Sequence, residues 1–166
     1  MRLLLRYLIL DQEIHLDLDL VNRKISLLKC DREFITPPTL RKNEILELTK
    51  LSFSSSEMSS DSTALALVSG EFVSADDPRY SNFLLLLEIM ASLQCYSFSQ
   101  NDLISLAKNI QIHNKNHVIL YPKRINDTDG ESAAKSITPK LHSLLHFPNQ
   151  IRLFGSPRYS WCFRYE

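Results

Sequence analysis

Residues 77–93, DPRYSNFLLLLEIMASL, decide the fold. Asp77-Pro78 is a helix start signal: the carboxylate can accept free N–H groups of the first turn, and the proline ring already has a helical φ and lacks an N–H that this position does not need. From Asn82 to Leu93 the stretch carries one charge, Glu88, and apolar residues fall on every side of a helical wheel. Such a helix has no face to offer water and belongs at the centre of a bundle. The whole chain holds three glycines, Gly70, Gly130 and Gly155, too few to supply the positive-φ turns of a hairpin-rich sheet. The fold class expected is mainly α, an irregular multi-helix bundle.

Outward from this helix, Ser99 and Asp102 stand at capping-box spacing and open a second helix running to about Tyr121, with Leu103, Leu106, Ile110, His117 and Tyr121 on its inner face. Pro122 stops it, and about residues 122–137 read as a polar loop. Thr138-Pro139 repeats the cap-plus-proline device. Towards the N-terminus, the serine-rich run of about residues 52–62 reads by composition as a flexible linker, with an apolar sequel, Ala64 to Val68, that suits a helix. Ile14, Leu16, Leu18 and Leu20 alternate like a strand, but Leu18, Val21, Ile25 and Leu28 continue at helical spacing behind Asp17 and Asp19, and helix is the reading adopted. Thr36-Pro37-Pro38-Thr39 ends that unit, and residues 31–50 read as a surface connection. Arg2 to Leu10 reads as a buried helix without a cap, which points to sequence preceding it. No internal repeat is visible, and one helical domain or fragment over residues 1–166 is expected.

The 166 residues carry nineteen basic and nineteen acidic side chains, so no global field draws the chain to nucleic acid or an anionic membrane. Cys30, Cys95 and Cys162 are odd in number and widely spaced, which fits a reducing, intracellular setting better than a disulfide framework. MRLLLRYLIL is too short to span a bilayer, and no membrane partner is expected.

Candidate chemistry is sparse. His113 with His117, and His142 with His146, have the i, i+4 spacing that lets two imidazoles on a helix chelate one metal ion. Neither pair has the glutamate of a zinc-protease helix, and a third ligand must come from elsewhere, Cys162 being one candidate. The commoner state of such histidines is packed or solvated. Asp127, Asp129 and Glu131 around Gly130 lack the ligand spacing of a calcium loop and read as a solvated charge run. No Walker loop, dinucleotide fingerprint or nucleophile elbow occurs. Between Pro139 and Arg164, Lys140, Arg152, Arg158 and Arg164 face no acid and are interleaved with aromatics, Trp161 among them. That pattern suits phosphate contact and base stacking; it equally suits core aromatics with arginines snorkelling outward.

The ordered motifs of residues 137–166, ITPKLHSLLHFPNQIRLFGSPRYSWCFRYE, resemble the characteristic block of a transposon-derived protein family of animal genomes related to CACTA (En/Spm)-like transposases. The matching elements are Pro139-Lys140-Leu141-His142, His146-Phe147-Pro148, Phe154-Gly155-Ser156-Pro157 and Trp161 to Glu166. Upstream, DDPRYSNFLLLLEIM resembles that family's Asp-Pro-Trp and Leu-rich helix, MRLLLRYLIL its early helix, and VNRKI its Leu-Asn-x-x-Ile segment, so the likeness spans most of the chain. Departures are Ser156, which splits Phe-Gly-Pro, Tyr80 in place of Trp, and the serine run in place of a more apolar segment.

The resemblance implies the helical insertion region of an RNase-H-like transposase core, with DNA strand cleavage and transfer as the ancestral role and a nuclear location. It implies Mg²⁺ in the ancestral full-length enzyme, because carboxylates sharing two metal ions stabilise both the attacking and the leaving oxygen. Glu166 is the one catalytic carboxylate it assigns here, so the chain is expected to be a truncated relative, without the flanking transposase segments, that needs no cofactor and does not catalyse alone. The alternative is a helical module that binds nucleic acid or protein through Lys140, Arg152, Arg158, Trp161 and Arg164, with DNA the partner that patch suits.

Overall fold

The computed structural model of the chain describes residues 17–28, 39–46, 54–74, 76–121 and 139–159. The expected N-terminal helix, Thr36 to Pro38 of the expected break and the polar loop 122–137 lie outside them. Among the described residues there is no strand, and the helices are α1 (Leu18–Leu27), α2 (Lys42–Leu46), α3 (Ser55–Ser69), α4 (Pro78–Leu93), α5 (Gln100–Leu120), α6 (Pro139–Leu144) and α7 (Phe147–Phe154), followed by a 3-10 turn, Pro157–Tyr159. The mainly α expectation holds. None of the described helices is long and apolar enough to cross a membrane. The chain groups into two compact units, Met1–Phe83 and Leu84–Glu166, divided within α4.

In the first unit Asp17 caps α1, its side chain accepting from the Asp19 N–H at 3.0 Å, and Leu18, Val21 and Ile25 form the buried face. The helical spacing therefore overrides the strand-like alternation. Asn22 is held differently from its neighbours. Its Nδ2 donates to the Leu40 carbonyl and its Oδ1 accepts from the Leu40 N–H, both at 2.9 Å, so one side-chain amide pairs both backbone groups of a residue eighteen positions away. Leu40 and Ile45 are consequently buried, and part of the 31–50 stretch read as a surface connection contributes to the core instead.

The serine run is a correction. Residues 55–62, expected as linker, form the first two turns of α3. Ser54 and Glu57 close a full capping box, Ser54 Oγ accepting from the Glu57 N–H and Glu57 Oε2 accepting from the Ser54 N–H at 2.7 Å. Inside the helix, Ser62 and Thr63 donate to the Met58 and Ser59 carbonyls, so their hydroxyls do not compete with the helical ladder for its N–H groups. Composition marked flexibility, but the capping box and the back-bonded Ser62 and Thr63 hydroxyls fit these polar side chains into a helix.

At the far end of α3, Gly70 provides a close approach. Tyr80 Oη donates to the Ala66 carbonyl at 2.8 Å, and a Cβ on Gly70 would stand 2.9 Å from that oxygen. Tyr80 is presented by the start of α4, where the Asp77 carboxylate accepts from the N–H groups of Arg79 and Tyr80 at 2.8 and 2.9 Å, as the Asp-Pro signal foretold. Gly70→Ala is expected to destabilise the protein by about 1 kcal/mol by displacing the Tyr80 hydroxyl. In a Tyr80→Phe background the same change should be neutral or stabilising, since the clashing atom is gone. Urea denaturation of the four variants gives the coupling.

Asp61 is an uncompensated charge-bearing group in this unit. It is wholly buried on α3, and neither carboxylate oxygen has a hydrogen-bond partner. Burial disfavours the charged form and pushes its pKa up to about 7. An acid whose folded pKa lies above its unfolded value of 3.8 binds the extra proton in the native state, so its contribution is intact below about pH 4 and is lost as pH rises through 7. Asp61→Leu should raise stability at pH 8 by roughly 2–4 kcal/mol relative to wild type and remove the decline between pH 4 and 8. Hydrogen exchange of α3 across that range reads the effect locally.

Candidate nucleic-acid interface

The second unit has a compact core of Ile89 and Leu93 from α4, Leu106 and Ile110 from α5, and Ile151 from α7, with Leu85, Phe98, Leu103, Leu144 and Phe147 packed around it. Ser99 and Asp102 form the expected capping box at the start of α5, the Ser99 N–H donating to Asp102 Oδ2 at 2.7 Å. Two amides of α5 tie it to its neighbours. Asn109 Nδ2 donates to Glu88 Oε1 on α4, and Asn114 Nδ2 donates to the Leu141 carbonyl on α6, both at 3.0 Å. Glu88, the one charge of the apolar stretch, thus has a defined partner.

The chain leaves α7 through Gly155, which takes φ +82°, the left-handed region that side chains avoid. Its N–H closes α7 on the Ile151 carbonyl at 2.9 Å. The next residue is Ser156. It is buried, and its hydroxyl donates to the Cys95 carbonyl while accepting from the Arg158 N–H at 3.3 Å. Through this hydroxyl the 3-10 turn is anchored to the segment that follows α4.

The anchor places Arg158. Its Nη1 donates to the Gln94 carbonyl at 3.1 Å, and its guanidinium carbon lies 4.1 Å from the centroid of the Tyr96 ring, a cation–π contact. Tyr159 adds a second ring, 6.2 Å from Tyr96 and tilted by 55°. The two tyrosines are 62% and 61% exposed, so the cluster presents ring surface to solvent with a fixed cation beside it. Two exposed apolar side chains, Leu153 at 65% and Phe154 at 85%, stand on the last turn of α7.

Of the residues singled out from the sequence, Arg158 joins this cluster. Lys140 is exposed on the first turn of α6, and Arg152 is exposed on α7, its Nη2 donating to Asn149 Oδ1 at 3.1 Å. Neither touches Arg158, Tyr96 or Tyr159. Trp161, Arg164, Cys162 and Glu166 lie outside the described residues, as do Asp127, Asp129 and Glu131. Tyr96 was not legible as a site residue, because nothing in Gln94-Cys95-Tyr96-Ser97 distinguishes a stacking platform from the end of a helix. Its place in the cluster follows from Arg158, more than sixty positions away.

Electrostatics reinforce the contrast between the units. The neutral chain divides unevenly: residues 84–166 hold nine Lys and Arg against six Asp and Glu, a net of +3, and residues 1–83 hold ten against thirteen, a net of −3. The basic excess therefore belongs to the unit that carries the exposed tyrosines.

The two histidine pairs separate. His113 is buried, burial holds the partly covered His117 below the ordinary imidazole pKa, and their ring centroids are 6.1 Å apart, with His117 packed 5.1 Å from Tyr121. His142 and His146 are both exposed, with ring centroids 4.9 Å apart. Among the described residues no three His, Cys, Asp or Glu side chains converge, so neither a two-metal carboxylate centre nor any step of strand cleavage is derived for them. The chain matches no protein-family model, no curated protein and no solved structure.

Replacing Ser156 with Ala removes the donor to Cys95 and the acceptor for Arg158. A loss of about 1 kcal/mol is expected, confined to the anchored turn. Faster hydrogen exchange at residues 156–159 with unchanged protection in α5 is the expected signature.

Proposed function

We propose that this chain is a transposase-related protein whose second unit binds nucleic acid, single strands in preference to duplex, at the Arg158–Tyr96–Tyr159 cluster. The observation that carries this reading is the stacked and hydrogen-bonded guanidinium beside two rings that are each more than half exposed. A tyrosine face accepts any unstacked base, and a fixed guanidinium supplies a phosphate or base-edge contact, a combination that favours bases free of pairing. The +3 excess of residues 84–166 supports the same reading by concentrating counter-ion release in this unit. Lys140 and Arg152 supply further phosphate contacts along α6 and α7. Descent from CACTA-like transposases rests on the ordered motifs of residues 137–166, and a nuclear site of action follows from that descent.

Fluorescence anisotropy with a labelled single-stranded oligonucleotide tests the binding. Affinity should fall as salt rises from 50 to 200 mM, and duplex of the same length should bind more weakly. Tyr96→Ala should cost about 1–3 kcal/mol of binding, the worth of one stacked base. Arg158→Ala should weaken binding and flatten the salt slope by about one counter-ion. No binding at 50 mM salt, or binding indifferent to both substitutions, would refute the proposal.

A further inference from the structure

The joint between α6 and α7 holds a second arrangement that nucleic-acid binding does not use. The helix breaks there for a covalent reason, since Pro148 has no N–H to give the Leu144 carbonyl. The chain tightens instead of unwinding. The Leu145 N–H donates to the His142 carbonyl and the His146 N–H to the Ser143 carbonyl, both at 3.1 Å and both spanning three residues, before the Gln150 N–H restarts the α pattern on the His146 carbonyl at 2.9 Å. His146 keeps helical backbone angles, φ −87° and ψ −18°. The two imidazoles therefore project from one side of a continuous turn.

Their Nε2 atoms meet at 3.2 Å with the rings nearly perpendicular, at 78°. No other described residue engages either ring. We propose that His142 and His146 form a bidentate site for a borderline divalent transition-metal cation, Zn²⁺ being the representative. Zinc–imidazole bonds are about 2.0–2.1 Å long, and two such bonds spanning 3.2 Å enclose an angle of about 100°, between the square-planar and tetrahedral values. In the metal-free protein the same approach is an N–H···N hydrogen bond, one ring donating and the other accepting. The cation replaces that shared hydrogen: both rings become neutral Nδ1–H tautomers with both Nε2 lone pairs on the metal. Among the described residues no third His, Cys, Asp or Glu converges here, so water or a donor from another molecule completes the coordination. Bound there, the ion staples α6 to α7 across the break that Pro148 makes.

The site is independent of the stacking cluster and is tested without nucleic acid. The full chain, purified without a histidine tag and stripped with a chelator, is titrated with zinc chloride by calorimetry at pH 7.5. One Zn²⁺ per chain is expected. His142→Gln and His146→Gln should each weaken binding at least tenfold, with helicity unchanged because both side chains are exposed, while the double substitution His113→Gln, His117→Gln leaves it intact. In wild type, substoichiometric Cu²⁺ should broaden the imidazole proton signals of His142 and His146 before those of His113, which locates the ion without any substitution. Absence of zinc binding at pH 7.5, a site that survives loss of either exposed histidine, or broadening centred on His113 and His117 would overturn the proposal.

Discussion

The Asp77 carboxylate, accepting from the Arg79 and Tyr80 N–H groups, sets where α4 begins, and from that start the register of every later side chain on the helix follows. Tyr80 and Phe83 fall into the core of the first unit, and Ile89 and Leu93 into that of the second. A start displaced by one residue would rotate each of them by about 100° and expose what is now buried. Pro78 strengthens the constraint by removing the alternative in which the helix extends backwards.

Polar groups inside the units are handled unequally. Asn22, Asn109 and Asn114 each spend a side-chain amide on tying their helix to another segment, which couples helices that apolar packing alone would leave free to slide. Asp61 has no such partner and carries a pKa near neutrality as a result. Ser156 shows how one hydroxyl can organise a surface. It holds a 3-10 turn against Cys95, and from that turn Arg158 reaches the Gln94 carbonyl and the Tyr96 ring.

Three polar side chains carry these long-range contacts. Asn22 is the clamp on Leu40, Tyr80 is the hydroxyl donor to Ala66, and Ser156 is the anchor of the exposed cluster. The divided charge of a neutral chain belongs to the same theme, because the sum over 166 residues concealed a basic unit and an acidic one.

Local signals in the sequence determined where helices start and stop. Asp17, Asp77 with Pro78, and Ser99 with Asp102 act within one turn, so their chemistry is complete before any tertiary contact forms. The same kind of signal is present in Ser54-x-x-Glu57, yet serine content outweighs it, and residues 52–62 read as linker. Non-local pairing was invisible. Leu40 and Ile45 are buried because Asn22 and its neighbours reach them, the boundary between units falls inside an apolar helix, and Tyr96 meets Arg158 from a distant part of the chain. Spacing alone also treated the two histidine pairs alike. Tertiary structure separated them, since packing covers one pair, whereas the proline break at 148 leaves the other exposed on a tightened turn with its ring nitrogens facing each other.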